Sequence, residues 1–169
     1  ADKVSSRQTL DPHPLVIHGV SGSGKSALMA RAIQLVKESD PKDVVVFRFI
    51  GATPEASNSR TLLESLCRQI SQEYGGRPTE VPSDYSDLIR EFPRYLRLAS
   101  EEEPLTIFLD ALDQLNDRED ARRLVWLPLT LPDHVRLIVS TLPGDCLQYL
   151  KTRIPATSLL KLKAMSLDE

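Results

Sequence analysis

"HGVSGSGKSALMARAI", residues 18–33, decides how the rest of the chain is read. Residues 19–26, "GVSGSGKS", satisfy GxxxxGK[ST], directly after the apolar "PLVIHG" of residues 14–19 and at the start of a helical pattern opening at Lys25. A strand that turns at once into a helix presents consecutive backbone N–H groups into a concavity. A polyphosphate enters there only where side chains leave room, which Gly22 and Gly24 provide. The positive end of the helix dipole adds to the attraction. Lys25 is a mobile cation that reaches the β- and γ-phosphates in binding and catalysis, and the Ser26 hydroxyl completes the shell of a Mg2+ ion. The candidate phosphate contacts are Gly19, Val20, Ser21, Gly22, Ser23, Gly24, Lys25, Ser26 and Ala27.

Outward from this stretch, short apolar runs alternate with longer helical patterns. Strands are predicted over residues 14–19, 43–51, 104–110, 134–141 and 156–164, most of them too continuously apolar for a half-exposed sheet. Helices are predicted over 25–37, 59–74 and 85–100, the last kinked or split by Pro93, with a shorter one over 118–126. Connections of more than a dozen residues between strands mean right-handed crossovers and an α/β, doubly wound parallel sheet with helices on both faces.

Composition narrows the function. With 169 residues and 41% hydrophobic residues, the chain is large enough for one well-buried core and too short for a second full domain. A net charge of −3, with cations scattered among acids, offers no face that would track a phosphate backbone, so direct nucleic-acid binding is not expected. No apolar run reaches the ~18 residues of a membrane span. Cys67 and Cys146 have no metal-ligand or CxxC spacing and read as reduced thiols of a cytoplasmic protein. Residues 1–13 are expected to be a linker and 14–165 the core. In "AMSLDE", Ser166 looks like the cap of a further helix over 166–169, as in a piece cut from a larger protein.

A phosphate loop needs a carboxylate at the end of a neighbouring strand to hold the same Mg2+ through water. "LTIFLDALDQL", residues 105–115, supplies Asp110 where the strand should emerge beside the loop. Burying that charge after Phe108 and Leu109 is costly without a cation. Asp113, three residues on, is placed to orient a water in line with the γ-phosphate, or else to cap the turn "DQLND". Glu55, in "GATPEAS", is the weaker alternative base.

The ordered set "GVSGSGKSALMA", "VVFRFIGATPEASNSRTLLESLCRQI", "FLDALDQL" and "WLPLTLPDHVRLIVSTLPGD" resembles the NACHT group of STAND-class P-loop NTPases, over residues 10–165. The resemblance is greatest to NACHT modules of telomerase-associated and nephrocystin-like multidomain proteins. It implies a sheet in the order 5-1-4-3-2, ATP or ADP with Mg2+ as ligand, and a weak ATPase whose nucleotide state controls assembly with protein partners or with itself. Carried over, Lys25 and Ser26 contact phosphate and Mg2+, Asp110 is the Walker B acid and Asp113 the second acid. Two departures stand out. Asp113-Gln114 replaces the Asp-Glu of many relatives, leaving one candidate base. "STLPGD" carries no arginine where many relatives sense the γ-phosphate, so Ser140 or Thr141 is left to donate there, with Thr141 the candidate contact. Hydrolysis is therefore expected to be slow or dependent on a partner.

Two other classes fit the same loop. A small-molecule kinase would need an arginine lid, for which Arg118, Arg122 and Arg123 are available, although the interleaved acids of "NDREDARR" favour a solvated helix face. A scaffold would bind nucleotide without turnover. The choice between ATP and GTP is open, since the motifs assign no residue to the base.

Overall fold

The computed structural model describes residues 11–116 and 122–164. Five parallel strands, β1 (Leu15–His18), β2 (Val44–Phe49), β3 (Leu105–Asp110), β4 (Val135–Thr141) and β5 (Leu159–Lys161), form one sheet. Their order is β2-β3-β4-β1-β5, which read from the other edge is the expected 5-1-4-3-2. All six residues of β3 are buried, as befits the middle of a sheet covered on both faces.

The helices divide between the faces. α1 (Lys25–Ser39) packs Met29 and Ile33 against Ile17 and Phe108. On the other face, α2 (Ser59–Glu73) presents Leu63, Leu66 and Ile70, and α3 (Tyr85–Leu96) presents Leu88, Phe92 and Leu96. These recur at spacings of three and four and form one stripe toward the strands. Both helices are stopped at their starts by side-chain caps: Thr61 N donates to Asn58 Oδ1 at 2.9 Å and Asp87 N to Asp84 Oδ1 at 3.1 Å.

Several expectations need correction. Pro93 does not split α3, which runs through it and ends at Leu96 rather than Ser100. The proline removes only the bond its N–H would give to Ile89, and the helix stops three residues later, so the loss falls on its final turn. β5 is three residues long because Ala156–Ser158 forms a 3-10 turn. Of the helix expected over 118–126, residues 118–121 lie outside the described residues. The remainder is not α-helical, since Leu124 has φ 52, in the left-handed region, and is buried in the core with Trp126 and Leu127. A fourth helix, α4 (Asp145–Lys151), follows β4 and buries Cys146, Leu147 and Leu150.

At the end of the sheet away from the phosphate loop, the Asp43 carboxylate, 1% exposed, pairs with Arg136 and accepts from the Thr106 hydroxyl at 3.0 and 3.2 Å. Burial pushes its pKa above the usual carboxylate value, against the opposing pull of Arg136 and Thr106. Among the described residues, no helix is long and apolar enough to cross a membrane.

Candidate functional site

The loop between β1 and α1 takes its shape from glycines with two different jobs. Gly22 and Gly24 have φ 78 and 84, a left-handed backbone that strains any L side chain. A Cβ on either meets nothing within 4 Å, so the backbone demands these glycines and the space above them is open. At Gly19 a Cβ would lie 2.7 Å from the Leu162 carbonyl and 2.9 Å from Ser23 Oγ, because the chain leaving β5 passes directly beneath. Leu162 N donates to the His18 carbonyl there at 2.7 Å.

α1 begins at Lys25 with Gly24 as its cap residue, no side chain capping its first turn and no acid within it. Its positive end faces the concavity without a counter-anion of its own. The Lys25 ammonium lies over the loop, donating to the carbonyls of Gly19 at 2.7 Å and Val20 at 2.8 Å. His18, buried just before the loop, has its pKa pushed down by burial and by repulsion from Lys151 and Lys161. It therefore stays neutral near pH 7 and adds no cation.

Asp110, 5% exposed at the end of β3, does not stand on the strand next to β1, because β4 lies between them. It reaches the loop through two hydroxyls. Ser26 Oγ donates to Asp110 Oδ2 at 2.6 Å, and Ser140 Oγ, from β4, donates to Oδ1. Ser140 in turn accepts from Ala111 N at 2.8 Å. Sequence reasoning singled out Thr141 here, but residues alternate along a strand, and it is Ser140 that faces Asp110. The Thr141 hydroxyl donates to the Leu142 carbonyl at 3.1 Å, in an adjoining cleft.

Ala111, at φ 65, turns the chain into the 3-10 turn Leu112–Gln114. This places Asp113 over the same cleft, where Leu142 N donates to Oδ1 at 2.9 Å and Gln114 Nε2 to Oδ2 at 2.8 Å. Gln114 packs on Gly51, where an added Cβ would lie 2.8 Å from Gln114 Cβ. Ile50 N donates to the Asp110 carbonyl at 3.0 Å and Asn116 N to the Ser57 carbonyl at 2.9 Å. The loop after β2 is thereby fastened to the turn bearing Asp113. Glu55 sits exposed on that loop and does not line the cleft.

The cleft, about 360 Å³, is lined by Ser21, Gly22, Gly24, Lys25, Ser26 and Ala27 on the loop side and by Asp110, Ala111, Asp113, Gln114, Ser140 and Leu142 opposite. Gly19, Val20 and Ser23 lie outside the lining, although the Gly19 and Val20 carbonyls and Ser23 Oγ hold Lys25. Among the described residues no three His, Cys, Asp or Glu side chains gather to hold a metal by themselves. One hydroxyl and one adjacent carboxylate suit Mg2+, which keeps most of its shell as water and phosphate oxygen. Burial pushes Cys67 up to about 12 and Cys146 up to about 11, which keeps both buried thiols protonated near pH 7.

A parallel sheet in this order, with a glycine loop feeding α1 and an acid at the end of β3, defines a P-loop NTPase fold. Two solved structures share the fold. Drosophila ORC bound to DNA superposes with a TM-score of 0.64 at 19% identity, covering 92% of this chain and 39% of that one. The Aeropyrum pernix ORC1 protein in complex with DNA gives 0.54 at 15% identity, covering 92% and 41%. The chain belongs to the family described as Nephrocystin 3, N-terminal, whose model matches residues 3–141. It is 40% identical over 141 residues to NACHT and WD repeat domain-containing protein 2 of Homo sapiens, covering 78% of this chain and 8% of that protein. It is 30% identical over 135 residues to Nephrocystin-3 of Homo sapiens, covering 79% and 10%. The NACHT resemblance is thus borne out, and the chain spans a tenth or less of the length of these relatives.

Proposed function

We propose that this module binds ATP, or a close relative, with Mg2+, hydrolyses it slowly, and acts as a nucleotide-dependent switch on protein partners or on copies of itself. The observation that carries the reading is the hydrogen-bonded line from Ser26 through Asp110 to Ser140, which ties the phosphate loop to the ends of β3 and β4. Bound Mg2+ supplies charge neutralisation at the phosphates. Ser26 and Asp110, already joined by a hydrogen bond, are the residues that would hold the ion. Lys25 exchanges the loop carbonyls for β- and γ-phosphate oxygens.

Asp113 orients the attacking water. The water oxygen bonds to the γ-phosphorus, the bond from that phosphorus to the bridging oxygen breaks, and ADP departs with the electron pair. The water proton passes to Asp113. Because Leu142 N and Gln114 both donate to Asp113, nucleotide state can be passed to the loop after β4 and to the loop after β2. This is the basis of the switch.

Single-turnover hydrolysis of Asp110→Asn and Asp113→Asn tests the assignment. Asp110→Asn is expected to weaken Mg2+-dependent binding and hydrolysis together. Asp113→Asn should leave affinity within a few-fold and slow hydrolysis about 10²-fold. Equal loss of binding in both would put both acids in the metal site, and no effect of Asp113→Asn would reduce that residue to a tether for Leu142.

A further inference from the structure

The two edges of the sheet are finished differently. Along a parallel strand, alternate residues turn their backbone N–H and C=O to the same neighbour. Val44 N donates to the Pro104 carbonyl at 2.8 Å and Ile50 N to the Asp110 carbonyl at 3.0 Å, so the even-numbered residues of β2 face β3 and the odd-numbered ones face outward. A side chain covers that outward edge. The Arg48 guanidinium donates to the Phe47 carbonyl at 2.7 Å and is fastened to Ser65 Oγ and Gln69 Oε1 of α2 at 3.1 and 2.8 Å.

β5 forms the other edge, and it has no such cover. Leu162 N donates to the His18 carbonyl, so here the even-numbered residues turn to β1, and Leu159 and Lys161 turn outward. Among the described residues no strand lies beyond β5 and no side chain bonds to the outward groups of Lys161. Its side chains alternate. Leu160, 44% exposed, is in register with Ile17 on the α1 face, and Lys161 is in register with His18 on the opposite face. Leu162 and Lys163 repeat the pattern.

This edge is also where positive charge collects. Between Cys146 and Ala164 stand Lys151, Arg153, Lys161 and Lys163 with no acid among them, in a chain of net charge −3. Arg153 folds back over the Tyr149 ring at 3.9 Å, but none of the three lysines has an acid partner among the described residues. Two of them act on the buried His18, where their repulsion adds to burial in lowering its pKa. Lysines on an edge keep a strand from pairing with its own kind, because two copies meeting there would set lysine against lysine. An acid directly opposite is attracted instead.

We propose that β5 is a docking edge for an extended acidic segment of a partner protein, which adds as a further strand with acids opposite Lys161 and Lys163 and an apolar side chain against Leu160. The outward backbone groups of Lys161 supply the ladder bonds, and the alternation of leucine and lysine selects a segment that alternates apolar and acidic residues. The contact does not depend on the nucleotide reading of the phosphate loop.

The experiment titrates a short capped peptide of alternating glutamate and valine into the isotope-labelled chain and follows the backbone amides by NMR. Saturable shifts are expected at Leu159–Leu162, with slowed hydrogen exchange at the outward Lys161 N–H. Lys161→Glu, at an exposed position, should weaken this peptide about tenfold and gain affinity for a peptide of alternating lysine and valine. Absence of saturable shifts at β5 overturns the proposal. So does equal binding of a glutamate–valine peptide methylated at every backbone nitrogen, which keeps the charge and side chains but cannot form the ladder. Unchanged affinity in Lys161→Glu overturns the acidic partner, and shifts at the same amides that grow with chain concentration alone would give the edge to a second copy instead.

Discussion

Replacing Gly19 by alanine separates the two uses of glycine in the phosphate loop. The added Cβ would lie 2.7 Å from the Leu162 carbonyl oxygen and 2.9 Å from Ser23 Oγ. The hydroxyl can rotate away, but the carbonyl belongs to the chain leaving β5, which is tied to β1 by the 2.7 Å bond from Leu162 N to the His18 carbonyl. Relief requires the end of β5 to move off β1. Overpacking of this kind costs about 1–3 kcal/mol and the lost backbone hydrogen bond about 1 kcal/mol, so Gly19→Ala should destabilise by about 2–4 kcal/mol. For a chain of this size, that lowers the melting temperature by about 5–15 °C. Gly24→Ala meets no neighbour and costs only the left-handed strain, about 1–2 kcal/mol. Thermal and urea unfolding followed by circular dichroism gives both numbers. If Gly19→Ala proves no more destabilising than Gly24→Ala, β5 is not seated on the loop and the reasoning fails.

Two further outcomes follow from the buried ionisable groups. The Asp43 carboxyl is raised in the fold, so the stability it contributes is fully present below its unfolded value of 3.8 and is lost as pH rises through the folded value. Asp43→Asn should remove that descent, its stability gaining on the parent chain as pH rises through this window in urea titrations; parallel curves would show that Arg136 fully offsets the burial. Cys67 and Cys146 should react with a thiol–disulfide reagent at pH 8 far more slowly in the native chain than in urea, because burial holds both thiols protonated. Equal rates in the two conditions would contradict their burial.

What could be read in the sequence was what local chemistry specifies. The motif, its strand and its helix leave one arrangement for residues 14–39, and the continuous apolar runs of β3 and β4 imply strands covered on both faces. Asp110 was legible because a charge ends a buried run. Thr141 was preferred to Ser140 without a basis in the sequence, since which of two adjacent residues faces the loop depends on the register of β4 against β1 and β3. α4 is two turns long, too short for its periodicity to be recognised. The turn at Leu124 runs against local preference, and only core packing holds it, so it could not be inferred from the charged segment before it. Pro93 misled for the converse reason: a rule for helix interiors was applied to a residue that falls in a last turn.

The central claim is that the loop between β1 and α1 holds a nucleoside polyphosphate through Lys25. Calorimetric titration of ATP·Mg2+ into the parent chain and into Lys25→Ala, at matched circular dichroism, tests it most directly. The Lys25 ammonium is bonded to the Gly19 and Val20 carbonyls and is not part of the core, so its loss should leave the fold intact. The account predicts saturable binding to the parent chain and none measurable to the variant. Equal affinity in the two folded proteins would contradict it.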